Sequence, residues 1–321
     1  MLKRFLKSLQ AVPRGPIPLP DALPWLVPKV RPRFVYEAQN LRTGQPGPEF
    51  RPLAGLFAMS LVVDLPDQEI DVGAAELAAW NVDFDRLLQR ARTNLLARCA
   101  EDGFQCLGPG RYRSTWRDNL DGSRILLPGL LQRLPLRGDP VVLLPSRDTL
   151  LVVGSEDRKG LEWALKGALE FLDEHPRSLN GCPLRLRNYQ WEPFRCDHPL
   201  LGRIHERRLK DEYGRQKALL DRRHGAQGRD ITLAPFHVGK TVTGQASSFT
   251  VWSPAMGEAW LPEADQVRLA WEWGHERGRA WVSWATVQAC LSHLLEPVGL
   301  FPERFRFRTQ PGPELLERLL A

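Results

Sequence analysis

The sequence predicts an α+β protein of two domains, each a mainly antiparallel sheet packed with helices. Three observations carry that expectation. The chain has 321 residues, more than one hydrophobic core usually serves, so two domains are the default. Short apolar runs face each other across charged turns, the mark of antiparallel hairpins. Between and after them stand segments whose apolar residues recur at helical spacing. The boundaries read as an amphipathic helix and proline-rich arm over 1–48, a first α+β domain over 49–196, and a second over 197–321 built on an antiparallel meander.

The elements follow in order. Leu2, Phe5, Leu6 and Leu9 share one helical face, with Lys3, Arg4 and Lys7 opposite; a helix of three turns is too short to stand alone and docks on its own domain. From Val12 to Arg33 prolines are dense. They remove backbone donors and hold φ, which predicts an extended, polyproline-like arm wrapping the first domain, with Trp25, Leu26 and Val27 available for burial. FAMSLVVDL (Phe57 to Leu65) is a strand, and Gln68 to Val72 pairs with it across Pro66-Asp67. Ala74 to Trp80 is a short helix. Asn81 or Asp83 caps the longer one that follows, where Phe84, Leu87, Leu88, Ala91, Leu95 and Cys99 recur at helical spacing and Gly103 ends it.

The best-marked stretch runs from Arg111 to Gly154. Tyr112, Ser114 and Trp116 alternate with Arg111, Arg113, Thr115 and Arg117, as in a half-buried strand. Asp118-Asn119 and Asp121-Gly122 supply turns, and Pro128 belongs in the first turn of a helix or at a kink. Val141 to Leu144 and Leu150 to Val153 are continuous apolar runs, expected of strands buried on both faces, and Pro145 to Asp148 turns one into the other. A helix over Glu156 to Leu172 and a closing strand, Pro183 to Trp191, complete the first domain. The second opens with a long helix, His198 to Arg223. Strands at Ile231–Val238, Ser247–Ser253, Glu258–Leu261 and Gln266–Trp273 form the meander. Trp281, Trp284, Val287, Cys290, Leu291 and Leu294 define a helix, Phe305 and Phe307 a last strand, and Glu314 to Leu320 a terminal helix.

Several of these segments, DLPDQEIDVGAAELAAWNVDFDRLLQRARTNL, DGSRILLP, VVLLPSRDTLLVVG and LRLRNYQWEPF, resemble successive blocks of the YtpQ-like family of bacterial proteins, a domain of unknown function. The resemblance covers roughly residues 50 to 194. It implies a domain boundary near Phe194 and a bacterial, cytosolic origin, and it brings no catalytic residue, cofactor or substrate.

Charge and cysteine usage bound the function. A formal net charge of +6 permits an anionic partner without demanding one. Cys99, Cys106, Cys182, Cys196 and Cys290 are scattered and form no C-x-x-C pair, so reduced thiols in the cytoplasm are the simpler reading. No run approaches the ~20 apolar residues of a membrane span.

Three constellations are candidates. Arg113, Arg117, Asp118, Asp121, Arg124, Arg147 and Asp148 sit at strand-end turns, where carboxylates could gather a metal or arginines a phosphate; turn capping by Asp–Arg pairs accounts for the same residues. A basic face on the long helix holds Arg203, Arg207, Arg208, Lys210, Arg215, Lys217, Arg222 and Arg223, suited to nucleic-acid phosphates but diluted by Glu206, Asp211, Glu212 and Asp221. Trp252, Trp260, Trp271 and Trp273 form a candidate aromatic interface, against the default that large aromatics fill cores. His198 and His205 share a helical face, but no H-E-x-x-H, phosphate loop, G-x-S-x-G or G-x-G-x-x-G occurs. HVGKT at His237 to Thr241 lacks the preceding glycine of a phosphate loop. No catalytic set, metal site or cofactor is expected. The preferred reading is a non-catalytic accessory or adaptor protein that binds another macromolecule, first of all a protein. Its alternatives are a hydrolase or phosphate-handling enzyme using the 113–148 cluster, and a nucleic-acid-binding module using the basic helix.

Overall fold

The proline-rich arm turns out to be part of a sheet. In the computed structural model, which describes residues 17–45, 47–99, 103–174, 179–240 and 246–320, helix α1 (Leu19–Ala22) leads through a single 3₁₀ turn into strand β1 (Leu26–Pro32). β1 is buried at every position and runs antiparallel to β3 (Phe57–Asp64), from Leu26 opposite Val63 to Pro32 opposite Phe57. The expected wrapping arm is corrected accordingly. Pro28 and Pro32 are tolerated because β1 is the edge of the β1-β3-β2 sheet, where a missing N–H removes no ladder bond. Helix α2 (Arg33–Thr43), which no periodicity announced, follows before β2 (Phe50–Ala54). The helix expected over Leu2 to Leu9 lies outside the described residues.

The next elements match the reading closely. β4 (Glu69–Asp71) pairs with β3 across Pro66-Asp67. α3 (Ala74–Trp80) and α4 (Phe84–Ala97) follow, and Asp83 caps α4 by accepting the Arg86 N–H at 2.8 Å. Phe84, Leu87, Leu88 and Ala91 of α4 bury against Leu26, Leu61 and Val63, which covers the outer face of the first sheet. β5 (Phe104–Gly108) was not foreseen and forms the far edge of a six-stranded sheet with β6 (Arg111–Ser114) beside it. Pro128 opens helix α5 (Pro128–Gln132) at its first position, where its missing N–H costs nothing.

β7 (Pro140–Ser146) and β8 (Thr149–Gly154) form the expected hairpin at the centre of that sheet, whose order is β10-β9-β7-β8-β6-β5. Alternation explains why both runs are wholly apolar. Val141, Leu143, Leu151 and Val153 face helix α6 (Arg158–Glu174), while Val142, Leu144, Leu150 and Val152 face Val30 and Phe57 of the first sheet. The single closing strand expected over Pro183 to Trp191 is instead a hairpin, β9 (Asn180–Arg187) and β10 (Gln190–Pro193). Asn188 and Tyr189 turn it with φ of 50° and 60°, the left-handed pair that suits a two-residue hairpin.

α7 (Pro199–Ala226), 28 residues long, joins the halves. Ile204 packs with the α6 leucines, and Leu220 packs with Leu41 of α2, Leu233 and Trp260. The strands beyond it are β11 (Thr232–Leu233), β12 (His237–Lys240), β13 (Ala246–Trp252), β14 (Ala259–Pro262), β15 (Gln266–Trp273) and β16 (Glu276–Ser283); α8 (Trp284–Leu291), β17 (Leu295–Pro297), β18 (Arg304–Phe307) and α9 (Pro313–Leu320) complete the chain. They form two sheets, β11-β14-β18-β17 and β12-β13-β15-β16. The meander is corrected: β13 runs parallel to β15, and β11 parallel to β14. The chain leaves β13, builds β14 into the other sheet and returns, which supplies the crossover that parallel pairing requires. Trp281 is corrected as well, since it lies in β16 and not in the helix. α8 starts three residues later, where Ser283 Oγ accepts the Thr286 N–H at 3.0 Å. The α+β class stands.

Candidate functional site

The 113–148 cluster is built for structure. Arg124 is fully buried and donates to both Asp118 oxygens at 2.8 Å, with its guanidinium 4.1 Å from the Trp116 ring centre. Burial alone raises the Asp118 carboxyl, but the Arg124 bonds outweigh it and hold the carboxyl below its ordinary range. Asp148 accepts the Asn119 N–H at 2.7 Å, and Asp121 is sealed in the interior, its carboxylate without a hydrogen bond among the described residues. Arg113 bonds Gln105 on the neighbouring strand, while Arg117 and Arg147 are exposed. The three carboxylates therefore face three different surroundings and share no open site. No group of three or more His, Cys, Asp or Glu side chains among the described residues is placed to hold a metal.

Half of the basic helix face is neutralised. Arg207 pairs with Asp173, Arg215 with Asp211 and Lys217 with Asp221. Arg208 is not on the surface at all: it is buried and donates to Glu212 at 3.0 Å. Arg203, Lys210, Arg222 and Arg223 remain without an ion pair among the described residues. The aromatic interface divides too. Trp252 and Trp260 are core residues, Trp271 is half-buried against the same core, and only Trp273 of the four is exposed.

A cleft that no motif announced lies where the halves meet. Its volume is about 640 Å³. One face of α7 supplies Gly202, His205, Glu206, Leu209 and Tyr213, residues three, four, seven and eleven apart that line up along a helix. Opposite stand Arg33 at the start of α2, Ser248 of β13, Glu263 to Asp265 before β15, and Leu300 to Glu303 before β18. Phe236 and Phe301 add rings beside Tyr213.

Carboxylates line both sides of the cleft. Asp265 is held by the Ser248 N–H and hydroxyl at 2.7 and 2.8 Å, and Glu303 accepts the Gly299 and Arg304 N–H groups. The Glu206 and Glu263 carboxylates make no hydrogen bond or ion pair among the described residues, although the Glu263 N–H donates to the Tyr213 hydroxyl at 3.2 Å. Burial, then repulsion from Asp265, pushes the Glu206 carboxyl above its ordinary value. Arg33 is spent within the protein: it reaches Glu37 and lies 4.5 Å over the Phe301 ring. Burial lowers His205 below the usual histidine range despite the pull of Asp265.

Among the described residues Cys182 Sγ lies 4.0 Å from His205 Nδ1, a nucleophile–base juxtaposition. Burial, then the Glu212 charge, pushes the Cys182 thiol up to about 12, opposite to what a nucleophilic thiolate requires. His198, on the same helical face in the sequence reading, caps α7 by accepting the Leu200 N–H. No family model, curated protein or solved structure matches the chain. No helix among the described residues is long and apolar enough to cross a membrane.

Proposed function

We propose that the protein is a non-catalytic adaptor and that its cleft beside α7 receives a cationic segment of a protein partner. The carrying observation is the pair Glu206 and Asp265, like charges on facing sides of the cleft, with the Glu206 carboxylate unpaired and pushed up. A bound ammonium or guanidinium relieves that repulsion. The cleft already holds one such contact, Arg33 over the Phe301 ring. The sign with pH follows: binding favours ionised Glu206, so it strengthens as pH rises through that raised value and releases protons. The similarity of residues 50–194 to YtpQ-like proteins remains a proposal about the first half and contributes nothing to the cleft.

The test is calorimetric titration with capped tripeptides centred on Arg, Lys, Gln or Glu. The Arg and Lys peptides bind, and Glu206→Gln weakens them about tenfold, the size of a charged hydrogen bond. Equal binding of the Gln and Glu peptides, or an unchanged Glu206→Gln variant, refutes the reading.

A further inference from the structure

The second sheet of the C-terminal half turns one face to its core, and among the described residues no element packs over the other. Val267, Leu269 and Val282 fill the core side. On the open side the register places His237 opposite Phe249 and Arg268 opposite Trp281. The rings connect across the sheet: His237 stacks on Phe249 with centres 4.9 Å apart, and Phe249 meets the edge of Trp281 at 5.1 Å. Arg268 lies 5.7 Å from the Trp281 ring centre. Each of the four strands thus contributes one member to a single row, and three interstrand steps of about 4.8 Å make it roughly 14 Å long. Trp281 is 52% exposed, far more than a core ring.

The charge around the row is cationic. Arg268 and Arg279 are exposed and make no ion pair among the described residues. Arg277 pairs with Glu272 across the β15–β16 ladder, and Asp265 at the margin is held by Ser248. A sheet face with the exposed Trp281 ring, the half-buried Phe249 and His237 rings beside it and arginines without an ion pair among the described residues fits one ligand chemistry well: bases stack on the rings while phosphates meet the guanidinium groups. A duplex buries its base faces and offers nothing for the rings to stack on.

We infer that this face of β12-β13-β15-β16 binds single-stranded nucleic acid, with room for two or three stacked bases. Trp281 is the principal stacking ring, and Arg268 and Arg279 contact phosphates. The inference uses neither the cleft nor the basic face of α7. Together with the cleft it describes an adaptor that joins a single strand to a protein.

The test is fluorescence anisotropy of labelled oligouridylate and oligothymidylate of about 12 nucleotides against the full chain, from roughly 50 to 200 mM salt. Both are expected to bind, more tightly than a duplex of the same length; preference for one over the other tells whether RNA or DNA is the ligand. Trp281→Ala weakens binding roughly 5- to 150-fold, the range for losing one stacked base, and Trp281→Phe keeps most of it. Arg268→Ala with Arg279→Ala lowers the salt slope by about 1.4, or 0.7 per phosphate contact. Arg203→Ala with Arg222→Ala on α7 leaves binding unchanged. The inference is overturned by no binding at the lowest salt, by preference for the duplex, by Trp281→Ala binding as wild type, by an unaltered salt slope, or by loss of binding in the α7 variant. Because Trp281 is exposed and the arginine pair has a separate readout, a folding defect in one variant does not leave the question open.

Discussion

Arg304 is the cation on which the C-terminal half is assembled, and replacing it by alanine is a quantitative test of that role. Its fully buried guanidinium donates to Gln216 Oε1 at 2.6 Å, Ala234 O at 2.8 Å, Trp260 O at 3.0 Å and Tyr213 O at 3.4 Å. It thereby ties α7 to β14 and to the segment between β11 and β12. In Arg304→Ala, two acceptors keep a partner: Trp260 O still takes the Ala234 N–H, and Tyr213 O lies within the α7 ladder. Ala234 O and Gln216 Oε1 are stranded, at about 1–3 kcal/mol each. Two lost methylenes add roughly 1.6 kcal/mol. Against this, the variant is relieved of a buried charge. Burial lowers the guanidinium to about 10, a burden of roughly 3 kcal/mol. The balance is a loss of about 3 kcal/mol. With m of about 3 kcal/mol/M, the urea midpoint falls by about 1 M. Arg304→Lys should fall at least as far, because the charge stays buried while most of the bonds go. A drop below about 0.3 M for the alanine variant, equivalent to about 1 kcal/mol, refutes the keystone role.

Three further outcomes follow from the same geometry. Glu212 is buried beside Arg208, and desolvation outweighs that pairing and raises its carboxyl to about 7. In the unfolded chain the carboxyl ionises at its lower ordinary value, so this group's contribution falls as pH rises to about 7 and then levels off; urea midpoints at pH 5 and pH 8 should differ less in Glu212→Gln than in wild type. Trp252→Ala, in the core with Phe307 at 4.7 Å, should cost about 3–5 kcal/mol, whereas the exposed Trp281→Ala should stay within about 0.5 kcal/mol, read from thermal or urea melts. Cys182, with its thiol raised to about 12, should resist iodoacetamide at pH 8 while the exposed Cys106 reacts, as peptide mass mapping would show; early labelling of Cys182 would contradict its burial.

Legibility varied with how local the cause was. The β7–β8 hairpin was readable because eight apolar residues and a charged turn leave few alternatives. Pro128 at the head of α5 and Asp83 at the cap of α4 were readable because each acts within one turn. β1 was misread because proline density also describes an edge strand, and only pairing with β3 distinguishes the two. Trp281 and Trp284 are three apart, which fits a helix, yet a strand ending at Ser283 accommodates both. Charges close in sequence, such as Asp118 and Arg124, pair with each other, which is the turn capping that the same residues predict.

By itself, the sequence determined the class, the central hairpin, the main helices and the lack of a recognised catalytic signature, because period, turn chemistry and motif spacing are written within a few residues. Tertiary structure alone decided which charges stay unpaired and which rings face water. Glu206 and Asp265, or Phe249 and Trp281, lie dozens of residues apart and acquire meaning only when α7 and the β12–β16 sheet bring them together. Such long-range pairing depends on the packing of whole elements, and no local pattern encodes it.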